Sequence, residues 1–236
     1  MKTIKNLLIV ATLLMAIGNA FAVSITDAGK NLEKANTTLQ NSVMALDRIM
    51  DDPENSIPPS LISQSEGIVI FPNAFKLAFG IAGGQGGRGI AMIHNDDGSW
   101  SNPFFINLGE GSLGLQIGAQ ASDIVLLFKD ISDILEIEGT EIELGSDIVV
   151  AAGPVSKGFS STTDIKFQSE IYSYGRSKGL FAGISVKGGV LTYNKGLNES
   201  VYGKTELNAR EILQGIDTPY NDKVNDMIMA LVMYGD

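Results

Sequence analysis

Hydrophobic residues recur at steps of three and four from residue 23 to about residue 50, which is the spacing of one helix face. This stripe consists of Ala28, Leu32, Ala35, Leu39, Val43, Leu46 and Ile49. Charged residues lie off the stripe, so the pattern predicts an amphipathic helix over residues 23–50. Such a helix either packs on its own domain or lies on a membrane surface. We favour packing, because the polar face carries charges of both signs and is not dominated by Lys and Arg.

Between about residues 67 and 193 the pattern changes to short apolar runs separated by Gly, Asn and Asp, which is typical of strands. The predicted strands are residues 68–71, 75–82, 89–93, 104–108, 113–119, 124–128, 148–152, 165–174 and 180–191. The segment Asn-Asp-Asp-Gly at 95–98 predicts a hairpin turn, because Asp and Gly tolerate the positive φ angles of such turns. Connections this short favour antiparallel pairing, since parallel strands need long crossovers.

Helical patterns interrupt and follow the strands. Apolar residues at 131–135 after Asp130 predict a short helix, residues 207–213 predict another, and a last helix is predicted from Thr218 to near Gly235. The predicted fold is one α+β domain over residues 23–236. It has a Gly-rich, curved, mainly antiparallel sheet within 67–193, barrel-like or a sandwich, between the N-terminal helix and two C-terminal helices within 205–235.

The first 22 residues have the pattern of an export signal. Lys2 and Lys5 precede an apolar run of 11 residues from Leu7 to Ile17, and Ala20-Phe21-Ala22 offers small residues for cleavage. As a helix this run is about 16 Å long, shorter than the ~30 Å bilayer core, so we favour cleavage over an uncleaved anchor. We therefore expect a mature protein from Val23, exported to the periplasm or the medium. The chain has no Cys, so it is not expected to be a lipoprotein.

The composition excludes several classes of binding and catalytic site. The chain has 17 Lys plus Arg against 27 Asp plus Glu, a net charge of −10. Loss of the two leader lysines would make it −12, which disfavours nucleic-acid binding. Without Cys there are no disulfides and no thiolate sites, and the single His94 rules out sites that need two imidazoles.

Two motifs match catalytic signatures without their structural context. Residues 84–89 match G-x-G-x-x-G, but the following Ile-Ala-Met-Ile is typical of a strand, so we interpret the glycines as serving tight turns and close strand packing. Tyr174 and Lys178 have the Y-x-x-x-K spacing of short-chain dehydrogenases, but no nucleotide-binding half precedes them. No set of residues supplies a nucleophile, a base and its orienting partner. We expect no enzyme activity, no cofactor and no metal site; an enzyme acting on lipid or peptidoglycan is the minority hypothesis.

Charge is distributed unevenly along the chain. Residues 110–150 carry a net charge of −8, whereas residues 151–204 carry +4. The positive segment is either ordinary surface charge or a local basic face for an anionic head group.

Several stretches resemble the SYLF domain family. They are IPPSLISQSEGIVIFPNAFKLAFGIAGGQGGRG from residue 57, GSWSNPFFINLGEGSLGLQIGAQASDIVLLF from residue 98, AAGPV at 151–155 and above all SYGRSKGLFAGIS at 173–185. Tyr202-Gly203 and the Ile-Leu-Gln-Gly segment at 212–215 continue the match, which covers roughly residues 30–233. The order of many separate motifs makes the resemblance specific.

The resemblance implies lipid binding. Eukaryotic SYLF proteins join this domain to SH3 or FYVE modules, bind phosphoinositides and, in fungi, associate with actin patches; bacterial members are exported. An N-terminal amphipathic helix and basic residues are held responsible for membrane contact. Here that corresponds to the helix over 23–50 and to Arg176 and Lys178. Because the chain has no SH3 or FYVE module, an actin partner is not expected.

These observations lead to one preferred hypothesis and one alternative. We expect a non-enzymatic envelope protein that binds phospholipid or fatty acid, with peripheral membrane contact, and whose head-group residues are Arg176, Lys178 and Lys187. The residues expected to contact acyl chains or membrane are Leu32, Leu39, Val43 and Leu46. The alternative is an envelope protein-protein interaction module without a lipid ligand. As a separate alternative, the Arg-Ser-Lys segment 176–178 pairs with the acidic segment 110–150 and does not point outward to a head group.

Overall fold

The computed structural model describes residues 28–52, 54–157, 167–177, 180–182, 186, 188–215 and 221–235. For residues 77–82, 110–119 and 180–182 it describes the backbone alone. The predicted export signal, the predicted helix start at Thr218, and the candidate residues Lys178 and Lys187 lie outside the described residues.

The first helix, α1, covers residues 28–50 of the described chain and packs on the domain through the predicted stripe. Ala35, Leu39, Leu46 and Ile49 are fully buried in the hydrophobic core, whereas Leu32 is 40% exposed. The predicted packing of this helix on its own domain is therefore confirmed from residue 35 onward, and burial of these apolar side chains stabilises it there.

Two very long strands form the centre of the fold. They are β1, Gly67–Ile93, and β2, Phe104–Phe128, and they pair antiparallel over nearly their whole length. The sequence predicted three shorter strands in each region, separated by Gly, Asn and Asp, and that division was wrong. The glycine-rich segment 83–89 stays paired with 106–112, and register shifts occur only between Phe71 and Ala74 and between Gly80 and Ala82.

The glycines let the β1–β2 ribbon curl back until its two ends meet. His94 N–H donates to the Glu66 carbonyl (3.0 Å), which joins the end of β1 to its beginning. A Cβ on Gly89 would lie 2.3 Å from the carbonyl oxygen of Ile70 and 2.5 Å from the Phe71 ring. Close strand packing is thus the confirmed role of this glycine, and the prediction of turns at 84–89 was wrong because the segment continues the strand.

Five shorter strands complete a seven-stranded sheet among the described residues. They are β3 (Ile142–Glu143), β4 (Val150–Ala152), β5 (Ile171–Ser177), β6 (Leu180–Ala182) and β7 (Val190–Tyr193). The free edge of β2 is long enough for two partners: β7 pairs with residues 106–109 and β5 with residues 122–128. All pairs are antiparallel except β4 with β5. The predicted hairpin turn at 95–98 is confirmed, with Gly98 at φ 83°.

Helices cover the ends of this sheet. They are α2 (Pro59–Gln64), α3 (Ile131–Glu136), α4 (Lys195–Tyr202), α5 (Ala209–Leu213) and α6 (Asp222–Gly235). Asp130 caps α3 by accepting from Ser132 N–H, and Asn208 forms a capping box with Glu211 on α5. The helices α2 and α4 had not been predicted. The α+β class with a curved, mainly antiparallel sheet, an N-terminal helix and C-terminal helices is confirmed.

Candidate functional site

A cavity of about 260 Å³ lies where the end of α1 meets the sheet. We call it the polar pocket; it is lined by Arg48, Asp51, Asn73, Ala121, Ser122, Asp123 and Arg176. The lining combines the end of α1, the irregular point of β1, the last third of β2 and the end of β5. Residues far apart in the sequence therefore meet because β2 is shared between β1 and β5.

Asp123 is the structural centre of the polar pocket. Its side chain is 8% exposed, and Oδ1 accepts from the Asn73 N–H at 3.0 Å. Asn73 has φ 51° and lies within the register shift of β1, a backbone conformation that Asn adopts more readily than most residues. The bulge thus turns a backbone donor toward Asp123.

Arg48 ties α1 to the sheet through Asp123. Its Nε lies 2.7 Å from Oδ2 and its Nη2 lies 3.0 Å from Oδ1, which is the bidentate geometry of an Arg–carboxylate pair. The hydrogen bond to Asp123 raises the pKa of Arg48 above its ordinary value, so Arg48 stays charged. The charges of Arg48 and Asp123 therefore compensate each other within the polar pocket.

Arg176 makes no such ion pair with a described residue. It lies on β5 directly opposite Asp123 of β2, so both side chains are on the same face of the sheet. Its Nη1 atom is buried and has no hydrogen-bond partner among the described residues. A buried donor of a charged group without a partner is rare in folded proteins. Because Arg176 lines the polar pocket, a rotation of its side chain would bring this donor to a ligand oxygen.

The rim of the polar pocket is acidic. Asp51 follows the last turn of α1 and is exposed. Its neighbour Asp52 has a pKa held below the usual range, chiefly by a hydrogen bond from the Asn55 side chain and with a smaller contribution from the charge of Arg176. The Arg176 guanidinium thus lies near carboxylates without a hydrogen bond to them among the described residues.

Apolar side chains flank the polar pocket. Phe75 is 49% exposed and lies directly opposite the pocket residue Ala121, on the same face of the sheet. Met44 is 40% exposed and lies one helical turn before Arg48. Two exposed apolar residues are therefore neighbours of pocket residues in the fold, and we call Met44 and Phe75 the apolar shoulder.

The structure locates some of the residues expected from the sequence. Arg176 lies in the polar pocket. Leu39 and Leu46 are fully buried, Val43 packs against the core, and only Leu32 of that group is well exposed. In this conformation Leu39 and Leu46 present no surface to a lipid, and their proposed contact with membrane or acyl chains stays a prediction.

Sequence reasoning missed Arg48, Asp51, Asn73 and Asp123. The one usable signal was the Pro72-Asn73 pair inside a strand pattern, since proline and asparagine together mark a bulge or turn. Nothing local connects Arg48 to Asp123, which lies 75 residues further along the chain.

The other motif residues are structural. The Tyr174 hydroxyl donates to the Pro154 carbonyl at 3.0 Å, and burial raises the pKa of this tyrosine above its ordinary value. His94 stacks on Trp100 with 4.7 Å between ring centroids. Within the described ranges, no three His, Asp or Glu side chains are arranged to hold a metal ion. None of the helices in those ranges combines the length and apolar character that a bilayer-crossing helix requires.

A second exposed apolar area lies on α6. Met229, Val232 and Met233 occupy one face of the helix and are 56%, 45% and 61% exposed. The opposite side of α6 is fixed to α1 at Tyr234, whose hydroxyl donates to Asp47 at 2.9 Å. We call the three exposed residues the α6 face.

A family model described as "Ysc84: Las17-binding protein actin regulator" matches residues 109–234, more than half of the chain. The chain belongs to the Ysc84 family. This is the SYLF family of the sequence resemblance, which is thereby confirmed. The match includes β2 from residue 109 and all of β5, and so the pocket residues Asp123 and Arg176.

Curated Ysc84-family proteins are similar over most of the chain. The SH3 domain-containing YSC84-like protein 1 of Xenopus laevis is 32% identical over 164 residues, 69% of this chain and 48% of the relative. The human protein of the same name is 30% identical over 180 residues, 76% of this chain and 52% of the relative. LAS seventeen-binding protein 3 of Saccharomyces cerevisiae is 27% identical over 206 residues, 85% of this chain and 43% of the relative. The chain thus spans about half the length of the relatives it matches.

Proposed function

We propose that this Ysc84-family chain is a non-catalytic lipid-binding protein of the bacterial cell envelope, and that a phosphate-bearing head group occupies the polar pocket. The observation that carries the proposal is the buried Nη1 of Arg176, which lacks a partner among the described residues. A phosphate oxygen would accept from it in a charge-assisted hydrogen bond, the stronger kind in proteins. This role for Arg176 agrees with the SYLF resemblance.

The apolar shoulder supports a lipid over a free phosphate compound. Met44 and Phe75 are 40% and 49% exposed and adjoin the pocket residues Arg48 and Ala121, so an acyl chain that leaves the head group could lie on them. Each buried CH₂ contributes roughly 0.8 kcal/mol, so a few methylenes on this shoulder would stabilise the complex more than one exposed charge contact. The pocket and shoulder together therefore favour a ligand with a charged end and an apolar end.

The test is flotation of the purified protein with phospholipid vesicles, at low salt and at about 0.15 M salt. We expect binding that survives salt and is lost in Arg176→Gln. Arg210→Gln, which removes an exposed arginine of α5 outside the polar pocket, is the matched control and should bind like the parent. Equal binding by the two variants would show that Arg176 does not hold the head group.

Native mass spectrometry of the same preparation gives an independent readout. A phospholipid or fatty acid carried through purification of the parent protein, and absent from Arg176→Gln, would support the proposal. No vesicle binding together with no carried lipid would overturn it.

Export is the second part of the proposal and rests on the pattern of residues 1–22. Cell fractionation should recover the protein outside the cytoplasm, and its N-terminal residue should be Val23. A cytoplasmic protein that retains residue 1 would contradict export. It would not bear on lipid binding in the polar pocket, which the vesicle experiment tests separately.

A protein-binding role is the second candidate, favoured by the α6 face. Three exposed apolar side chains on one helix face form a surface that another protein could cover. The family and the yeast relative carry descriptions that name Las17 binding and, for the family, actin regulation. If the α6 face serves this role, Met229→Lys with Met233→Lys should abolish a recurrent crosslinked adduct in intact cells and leave vesicle flotation unchanged.

A further inference from the structure

The charges left over in the polar pocket specify the head group that it would take. Arg48 and Asp123 neutralise each other in a bidentate pair. Among the described lining residues, two charged ones then remain: Arg176, whose Nη1 has no described partner, and Asp51. Asp51 makes no hydrogen bond or ion pair with any described residue. One arginine and one aspartate therefore line the same cavity without an ion-pair partner in the part of the chain that the structure describes.

We infer that the polar pocket is built for a zwitterionic phosphoethanolamine head group, with the phosphodiester on Arg176 and the ammonium on Asp51. This inference rests on the proposed function and specifies its ligand. Phosphatidylethanolamine carries one negative and one positive charge, which matches the two unpaired groups one to one.

The end of α1 strengthens the cationic half of the site. The carbonyl groups in the last turn of a helix carry partial negative charge, which favours a positive group nearby. The described helix ends at residue 50, and Asp51 follows it directly. The carboxylate and the helix end therefore act on an ammonium group in the same direction.

Head groups with several negative charges fit the polar pocket poorly. A second phosphate would find no unpaired arginine among the described lining residues and would lie near Asp51 and Asp52, and like charges this close repel. The phosphodiester of phosphatidylethanolamine carries a single negative charge and avoids this repulsion.

A choline head group also fits less well. A quaternary ammonium has no N–H to donate to Asp51 and is normally recognised by aromatic side chains. Among the described residues that line the polar pocket, none is aromatic. The volume of about 260 Å³ lies below the ~300–1,000 Å³ of pockets that enclose whole drug-sized ligands, so it suits a head group whose acyl chains stay outside.

The experiment compares flotation on four kinds of vesicle. Each has a phosphatidylcholine matrix, used alone or with an equal mole fraction of phosphatidylethanolamine, phosphatidylglycerol or N-acetyl phosphatidylethanolamine. The N-acetyl lipid keeps the phosphodiester and lacks the ammonium charge. We expect the parent protein to prefer phosphatidylethanolamine over each of the other three by about tenfold.

The variant arm uses Asp51→Asn, which should reduce binding to phosphatidylethanolamine about tenfold and leave binding to phosphatidylglycerol equal or stronger. Asp96→Asn, which removes an exposed carboxylate at the hairpin turn outside the polar pocket, is the control and should keep the parent's preference. Because the N-acetyl lipid tests the ammonium contact from the ligand side, the inference stays testable even if Asp51→Asn does not fold.

The outcomes separate the two proposals. Arg176-dependent binding without a preference for phosphatidylethanolamine, or with a preference that Asp51→Asn retains, would overturn this inference and leave lipid binding standing. No binding to any vesicle, with no lipid carried through purification, would overturn both.

Discussion

Two buried polar regions lie at opposite ends of β2 and differ in how completely their groups are hydrogen bonded. At the start of β2 the fully buried Asn198 side chain of α4 accepts from Phe105 N–H at 2.7 Å and donates to the carbonyls of Phe105 and Asn194, each at 3.0 Å. At the end of β2, in the polar pocket, Arg176 Nη1 has no partner among the described residues.

The difference separates a structural role from a binding role. A buried polar group whose donors and acceptors are all used, such as the Asn198 amide, fixes the position of α4 and leaves nothing for a ligand to add. A buried group with a free donor keeps an interaction available, as Arg176 does. Each prediction below tests whether the start of β2 is closed and structural while its end is open and binds a ligand.

The largest loss of stability is expected at Gly89, where the end of β1 approaches its beginning most closely. Gly89→Ala should lower the free energy of unfolding by roughly 3 kcal/mol, because the new Cβ would clash with the carbonyl oxygen of Ile70, which cannot move like a side chain. Urea unfolding measures this. Gly109→Ala is the control, since a Cβ there meets nothing within 4 Å and should change stability little. Equal midpoints for the two variants would show that the ribbon does not close in this way.

Asn198→Ala should lower the free energy of unfolding by about 2 kcal/mol, because it leaves the buried N–H of Phe105 without its acceptor. The Phe105 carbonyl loses one of two donors and keeps the Asn194 N–H. Vesicle binding by the folded fraction should be unchanged. Asn225→Ala on α6 replaces an amide outside this network and is the control. If Asn198→Ala kept the parent's stability and lost lipid binding, the start of β2 would have the binding role that we assign to its end.

Asp123→Ala should lower the free energy of unfolding by about 1.5 to 2 kcal/mol. It leaves the Asn73 N–H unpaired and removes the partner of Arg48, whose side chain is 41% exposed and can return to water, so the loss is smaller than for a fully buried pair. Hydrogen exchange should rise in the second half of α1, which the Arg48–Asp123 pair ties to the sheet. Unchanged exchange over residues 40–50 would contradict that tether.

Arg176→Leu should change the free energy of unfolding by no more than about 0.5 kcal/mol, since it removes a buried donor that has no partner among the described residues. The same variant should lose lipid binding. Denaturant unfolding and flotation on one preparation test both halves of the prediction. A loss of stability similar to that of Asp123→Ala would mean that Arg176 belongs to the framework of the fold.

The smallest effect concerns Tyr234, which lies beside the pocket end of α1. Burial, followed by the hydrogen bond to Asp47 and the charges of Asp47 and Asp51, raises the pKa of Tyr234 to about 12. The protonated form is favoured in the folded state, so the contribution to stability is full below about pH 10 and is lost as the pH rises toward 12. Ultraviolet absorbance titrations of the parent and of Tyr234→Phe should differ by the ionisation of this one phenol. A midpoint near pH 10 for that difference would contradict the burial of Tyr234 and its hydrogen bond to Asp47.

The sequence by itself determined the features that depend on neighbouring residues. The spacing of Leu39, Leu46 and Ile49 predicts the buried face of α1, because residues three or four apart share one side of a helix. The cap at Asp130 and the turn ending at Gly98 are likewise local, since side-chain and φ preferences act over a few residues. The family resemblance directed attention to Arg176, which the structure places in the polar pocket.

Only the tertiary structure decided which distant residues meet. Glycines 83–89 have a local preference for turns, and pairing with β2 overrides that preference, which is why the three predicted strands proved to be one. Arg48, Asp123 and Arg176 come together because β2 pairs with β1 on one edge and with β5 on the other. Whether an arginine is paired, as Arg48 is, or left with a free donor, as Arg176 is, depends on those long-range pairings, and no local pattern of the sequence records them.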